Sequence, residues 1–157
     1  MKKISIGNNL ILGFHPMLDR LMENDPISLK SGPDISILST KQLSILCKNI
    51  MLNVMQSGDG KYLLLSPNLI YNQLIQHPAA KNEVVNVLIH SPESEQELLA
   101  LIDTLNLVQP ALSLLESANK SKTINARYLQ LNKMGYKPTP LTFLAKLANK
   151  CPSTLRG

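Results

Sequence analysis

The sequence predicts an all-α, compact domain of seven to eight short helices, packed largely as antiparallel pairs around a central helix near residues 40–56. Two observations lead to this prediction. Apolar residues recur at helical spacing along most of the chain after residue 39, and Ser, Thr or His repeatedly precedes Pro, a combination typical of helix starts. With 157 residues, 44% hydrophobic and 4% aromatic, the chain can bury one core built from Leu, Ile, Val and Met.

Residues 1–38 are the least regular part of the sequence, because Gly and Pro recur along them. At most one short helix fits there, over residues 16–24, with room for a short strand near Ile4 or Ile35. We therefore expect residues 1–38 to form an irregular N-terminal arm. Residues 39–157 should then form the helical core of a single domain that spans residues 1–157.

The first strong helix signal begins at Ser39. Ser39 and Gln42 have the spacing of a capping box, in which each side chain accepts a hydrogen bond from a free backbone N–H group of the other residue. Apolar residues then crowd positions 43–55 on nearly every side, which is typical of a buried central helix. We expect Leu46 and Ile50, four residues apart, to share its core face.

The glycine-rich segment 58–60 predicts a turn that ends the central helix, and the rest of the chain predicts short helices. Ser66, Ser91 and Thr139 each precede a Pro, which places a hydroxyl group at the cap and Pro at the first helical position. The predicted helices span residues 67–76, 79–89, 92–106, 110–118, 123–134 and 140–150. Their short connections imply antiparallel helical neighbours. Residues 62–65 could form a strand, but no partner strand is evident.

A weak internal echo supports an alternative architecture. PALSLLESANK begins at residue 110 and PLTFLAKLANK at residue 140, and Thr139-Pro140-Leu141 is similar to the tripeptide that opens an ankyrin repeat. This resemblance implies degenerate, solenoid-like or ankyrin-like helical pairs in the C-terminal half. It covers only the last third of the chain and lacks the His and the Gly-rich turn of the repeat. Two Leu-rich helices with similar starts also explain the echo.

The sequence contains no residue pattern typical of catalysis or metal binding. His15, His77 and His90 include no pair at the spacing that places two ligands on one helix face, so we expect roles at helix ends or on the surface. Cys47 falls in the most apolar segment, and Cys151 follows a predicted helix end, where the helix dipole disfavours a thiolate. We therefore predict a protein that is not an enzyme and uses no cofactor or metal.

The chain lacks a signal-like segment with a cleavage site, and no apolar run approaches the ~20 residues that a membrane helix requires. Two Cys far apart in sequence fit free thiols in a reducing compartment. We expect a cytoplasmic protein without a membrane span. If it is a secreted bacterial effector, its compartment would be the host cytosol.

Charge is distributed unevenly along the chain. Residues 61–117 contain two Lys against six Asp or Glu, whereas residues 118–157 contain eight Lys or Arg and no acidic residue. An acidic partner would complement this basic C-terminal region, and so would the acidic helices of the same chain. Both interpretations are open at this point.

From these features we predict a non-enzymatic protein–protein interaction module, such as an adaptor, inhibitor, chaperone or secreted bacterial effector. Its expected partner is another protein with an acidic surface. The alternative is a nucleic-acid-binding regulator that uses the basic C-terminal region 118–157. The candidate partner-binding residues are the basic and aromatic side chains of that region: Lys120, Lys122, Arg127, Tyr128, Lys133, Tyr136, Lys137, Lys146 and Lys150. The oligomeric state is not predicted.

Overall fold

The computed structural model describes residues 1–26, 32–117 and 120–156, and these form an α/β structure. Its strands are β1 (Lys2–Ser5), β2 (Ile11–Phe14), β3 (Met51–Gln56), β4 (Tyr62–Leu64) and β5 (Val84–His90). They form one mixed sheet in the order β1-β5-β3-β4-β2. The prediction of an all-α domain is therefore wrong, and the solenoid-like alternative is wrong with it.

Helices are distributed along the whole chain. They are α1 (Pro16–Leu21), α2 (Thr40–Asn49), α3 (Leu69–Leu74), α4 (Glu95–Asp103), α5 (Gln109–Ser117), α6 (Lys120–Lys133), α7 (Leu141–Leu147) and α8 (Pro152–Arg156). A π-helical turn, Thr104–Val108, lies between α4 and α5. The second half of the chain is mainly helical, as predicted, with α8 as an additional short helix.

The contacts divide the chain into two compact units. The first, which we call the sheet unit, comprises Met1–Ser31 and Ile35–Val108. The second, the helical unit, comprises Gly32–Asp34 and Gln109–Gly157. The sheet unit therefore holds all five strands and α1 to α4, while the helical unit holds α5 to α8. The prediction of a single domain for residues 1–157 stays a prediction.

The segment predicted as one central helix, residues 40–56, changes conformation at Ile50. α2 ends at Asn49, and the chain continues as β3, in which Leu52 and Val54 are buried and their neighbours are more exposed. A short, nearly continuous apolar run has the same appearance in the sequence whether it forms a helix or a strand, so periodicity could not separate them. The prediction of one helix over residues 40–56 is therefore wrong from residue 50 onward, where β3 takes the place of the helix.

The predicted helix over residues 79–89 is also wrong. A 3-10 turn, Ala80–Asn82, leads into β5, in which Val85 and Val87 are buried. β5 lies between β1 and β3, pairing antiparallel with the first and parallel with the second. Pairing on both sides satisfies the backbone of a central strand, and branched Val side chains suit the pleated surface.

The N-terminal residues 1–38, expected to be irregular, supply both edges of the sheet. β1 pairs with β5 at one edge, and β2 pairs with β4 at the other. Only residues 6–10 connect them, partly as a 3-10 turn, so the connection spans less than about 20 Å. The edges of a flat five-stranded sheet are already about 19 Å apart laterally. A connection this short leaves little slack between the two edge strands, and Ile4, Ile11 and Val85 line one common cleft.

Side-chain caps begin several helices, as predicted, but some of them lie at other residues than predicted. The capping box of Ser39 and Gln42 is confirmed, with N–O distances of 3.0 and 3.1 Å. The predicted hydroxyl–Pro caps are wrong: Asn68 caps α3, Ser94 caps α4, and α7 begins after Pro140 without a side-chain cap. The caps that form lie later in the chain: the side chains of Asn68 and Ser94 accept the N–H groups of Tyr71 and Glu97.

The turn predicted at residues 58–60 is confirmed, but it joins two strands instead of ending a helix. The Ser57 N–H group donates to the Lys61 carbonyl oxygen at 2.8 Å, which closes the hairpin between β3 and β4. Gly60 has a φ of +71°, a conformation in which Gly carries no steric cost. This hairpin gives β4 the partner strand that the sequence did not reveal.

Candidate partner-binding surface

The helical unit buries few apolar side chains. Of the side chains described in residues 109–156, only those of Ala145 and Leu155 are buried apolar ones, whereas the other buried apolar side chains of the described chain lie in the sheet unit. Large apolar side chains that the helical unit exposes include Leu112, Ile124, Leu129, Leu131, Met134 and Tyr136. The sheet unit exposes large apolar side chains too, but it also buries most of the described apolar core, so the helical unit is the first candidate for partner binding.

α6 packs with a polar face. Ser121, Asn125 and Tyr128 follow one another at steps of four and three and are half-buried. The Asn125 side-chain amide lies 3.5 Å from the backbone oxygen of Arg156, its hydrogen-bond acceptor in α8. An amphipathic helix usually packs with its apolar face. The opposite arrangement here leaves the apolar side chains of α6 outside the packing with α8.

The outward side of α6 combines apolar and basic residues. Positions 120, 124, 127 and 131 lie at steps of four, three and four, which places them on one helix face, and all four side chains are exposed. Met134 extends this face, since its N–H group still donates to the Gln130 carbonyl oxygen at 3.0 Å. We call this set the α6 stripe: Lys120, Ile124, Arg127, Leu131 and Met134.

The predicted partner-binding residues occupy several faces. α6 carries Lys120, Lys122, Arg127, Tyr128 and Lys133, the turn after it carries Tyr136 and Lys137, α7 carries Lys146, and Lys150 precedes α8. All are exposed except Tyr128, which is half-buried. Helical geometry places Lys120 and Arg127 together in the α6 stripe, whereas Lys122 and Lys133 lie on a second outward face beside Leu129. With Arg156, eight exposed cations occupy a stretch that contains no acidic residue.

Gly135 follows the end of α6, close to the end predicted for the helix over residues 123–134. Its φ is +83°, and the N–H group of Tyr136 donates to the Leu131 carbonyl oxygen at 3.1 Å. A left-handed residue followed by this bond is the usual way in which Gly closes a helix. The turn leaves the ring of Tyr136 exposed beside the end of the α6 stripe.

No protein-family model, curated protein or solved structure matches this chain. What the chain binds must therefore be inferred from its own surface. The apolar members of the α6 stripe, Ile124, Leu131 and Met134, were not among the predicted site residues. In a sequence, apolar residues at helical spacing indicate a face toward the core. The signal that could have identified them is the alternation of Lys120 and Arg127 with these apolar positions.

A cleft opens in the sheet unit where β1 and β2 approach each other. It has a volume of ≈ 250 Å³, and a second cleft of ≈ 220 Å³ along β2 and α3 shares Ile11, Tyr71 and Ile75 with it. No charged side chain lines either cleft in the described chain. Burial raises the pKa of the Tyr71 phenol, and the nearby Cys47 thiol adds to the shift. The clefts can therefore receive neutral groups, but they bring no acid–base pair together.

Cys47 and His15 stabilise the fold and are not placed for chemistry. Burial raises the pKa of the Cys47 thiol, with a smaller contribution from the Glu83 carboxylate, so the thiol is protonated and unreactive at neutral pH. The Nδ1 atom of His15 accepts the Met17 N–H group and caps α1, as expected for a helix-end role. No cluster of three metal-binding side chains is found within the described residues.

One helical stretch in the described part of the chain, Glu95–Leu114, is long and apolar enough to cross a membrane by length and composition alone. Its mean hydropathy is only 1.2. It also contains Glu97 and Asp103, which are costly in hydrocarbon. One such candidate is weak evidence, which is consistent with the predicted absence of a membrane span.

Proposed function

We propose that this chain is a non-enzymatic protein–protein interaction module that binds its partner through the helical unit. The observation that carries the proposal is α6, whose polar Asn125 side chain donates to α8 while Ile124, Leu131 and Met134 are exposed. A unit of this size with so few buried apolar side chains gains little stability from its own packing. Burial of these side chains against a partner would supply the missing apolar contact.

The basic residues favour a partner with an acidic surface. Eight exposed cations lie in residues 120–156, a stretch of sequence without Asp or Glu, and give the surface around the apolar side chains an excess of positive charge. In protein interfaces, central apolar anchors supply most of the affinity, whereas peripheral charges mainly raise the association rate. An adaptor, inhibitor, chaperone or secreted bacterial effector could use such a surface. It would act in the cytoplasm or, as an effector, in the host cytosol.

The same cations favour a second candidate function, a nucleic-acid-binding regulator that uses the basic C-terminal region 118–157. This region contains only two Arg residues, Arg127 and Arg156, and Arg is the residue best suited to reading guanine. The exposed apolar side chains would have no role in contacting phosphates. We therefore rank protein binding first.

Affinity capture from the native cell, with quantitative mass spectrometry, tests the proposal. We expect Leu131→Ser to reduce the recovery of a defined set of proteins by about tenfold. The matched control is Ile70→Ser, because Ile70 is an exposed apolar residue of α3 in the sheet unit. Recovery that is the same for both variants would contradict the proposal. Loss of the captured proteins after nuclease treatment would favour the nucleic-acid alternative.

A further inference from the structure

The α6 stripe has the spacing of a helix-docking surface. Its members follow one another at alternating steps of four and three, the average repeat with which one helix presents a seam to another. Lys120 and Met134 are fourteen residues apart, so the stripe is about 21 Å long at 1.5 Å per residue. The face of α6 that carries Asn125 is occupied by packing with α8, so the stripe is available to a partner.

The chemistry of the stripe specifies its occupant. Ile124, Leu131 and Met134 require apolar partners, while Lys120 and Arg127, seven residues apart, require acceptors with negative charge. A partner helix with apolar residues at steps of three and four, flanked by Glu or Asp, meets both requirements. We propose that the α6 stripe docks an acidic amphipathic helix of a partner protein. This inference deepens the proposed function and rests on it.

Other occupants fit the stripe less well. If the stripe sank into a membrane, Arg127 would enter hydrocarbon between Ile124 and Leu131, which is costly for a charge. A second copy of the same stripe would place cations opposite cations, since it contains no acidic residue. Duplex nucleic acid would use Lys120 and Arg127 but leave the apolar members without a partner.

A peptide-binding experiment on the full chain tests this inference. The probe is a fluorescent synthetic helix of about 21 residues, long enough to cover the stripe. It carries Leu at steps of three and four with Glu beside them. The control peptide has the same composition, reordered so that Leu and Glu are spread evenly around the helix. By fluorescence anisotropy, we expect the patterned peptide to bind at least about tenfold more tightly than the reordered one.

Matched variants locate the binding face. Arg127→Glu and Leu131→Ser should each weaken binding of the patterned peptide by about tenfold. Leu129→Ser makes the same kind of change as Leu131→Ser on the second outward face of α6, and Lys61→Glu reverses an exposed charge in the sheet unit; both should leave binding unchanged. Leu129 is 50% exposed and Leu131 is 40% exposed, so neither change removes a core side chain. Circular dichroism should show equal helix content in all four variants.

Three results would overturn the inference: equal affinity for both peptides, no binding of the patterned peptide, or equal effects of Leu129→Ser and Leu131→Ser. Vesicles of anionic phospholipid form a separate arm. Tighter binding to these vesicles than to the patterned peptide would assign the stripe to a lipid surface and also overturn it. If the peptide fails while Leu131→Ser still removes proteins in the capture experiment, only the acidic-helix inference is lost. If that variant leaves capture unchanged, the proposed function itself fails.

Discussion

His77 and Leu38 are joined by a hydrogen bond between the imidazole Nε2 atom and the backbone carbonyl oxygen, at 2.9 Å and across 39 positions of sequence. The second ring nitrogen, Nδ1, accepts the N–H group of Ala79 at 3.1 Å. Because Nδ1 accepts, Nε2 is the donor to the Leu38 carbonyl oxygen, and both bonds are made by a buried side chain. His77 thereby fixes the turn after α3 to the segment before α2.

The first prediction concerns this link. His77→Ala should destabilise the protein by about 1–3 kcal/mol, because it removes both hydrogen bonds and leaves buried polar groups without partners. Urea unfolding measures the change. His77→Asn, whose side-chain oxygen can replace Nδ1 at the turn, should recover part of the loss. His15→Ala removes only a helix cap and should cost about 1 kcal/mol. Equal costs for His77→Ala and His15→Ala would contradict this role.

The second prediction concerns pH. The folded pKa of Cys47 lies above its unfolded value, because burial disfavours the thiolate. This contribution to stability is therefore complete below about pH 8.5 and is lost as pH rises, since the unfolded state releases its proton first. Tyr71 acts in the same direction at higher pH. As pH rises from about 7 to about 10, the free energy of unfolding measured in urea should fall less for Cys47→Ala than for the wild type. The same dependence on pH in both proteins would contradict the prediction.

A third prediction uses Cys47 and Cys151 as reporters of local structure. Cys151 is exposed and Cys47 is buried, so a thiol reagent at neutral pH should modify Cys151 first. Modification of Cys47 should require local or global unfolding. Mass spectrometry after timed alkylation gives both rates, and addition of urea should make them converge. Equal alkylation rates for the two thiols under native conditions would contradict the burial of Cys47 in α2.

A fourth prediction corrects the expected core face of α2. Leu43 is fully buried and Leu46 is half-buried, so the face through Leu43 and Cys47, not the one through Leu46, lies in the core. Leu43→Ala should cost about 2–5 kcal/mol, Leu46→Ala clearly less, and the exposed Lys48→Ala almost nothing. Thermal or urea unfolding ranks the three variants. A larger effect of Leu46→Ala than of Leu43→Ala would contradict the observed packing.

The fifth prediction separates the two candidate functions. We expect affinity for duplex DNA to be no tighter than about micromolar and to be lost at physiological salt, because phosphate contacts depend on counterion release. Tyr136→Ala should weaken binding of the protein partner more than Lys120→Ala, since Tyr136 is a 64% exposed aromatic and Lys120 supplies only charge. A salt titration by anisotropy measures the first effect. Tight DNA binding at physiological salt would reverse the ranking.

The site could be predicted only in part from the sequence. The excess of positive charge after residue 118 was evident, because net charge is independent of the fold. Which residues face outward was not, because that depends on which face of α6 packs on α8. Asn125 occupies the packing face, and Ile124 and Leu131 do not. A reading of periodicity assigns these faces the other way round, since it assumes that the apolar face is the buried one.

Features that depend on neighbours within a few positions followed from the local sequence. The capping box of Ser39 and Gln42, the turn at 58–60 and the helix end at Gly135 are all of this kind. They form because a side chain or a Gly satisfies the local backbone directly.

Which apolar segments became strands depended on partners far away in the sequence. Val87 in β5 pairs with Lys2 in β1 and with Leu52 in β3, residues distant from it in sequence. An α-helix satisfies its backbone N–H and C=O groups within four residues, whereas a strand must find its hydrogen-bond partners elsewhere in the chain. The segments 51–56 and 84–90 are apolar enough for either conformation, and the partners that made them strands are set by the whole fold.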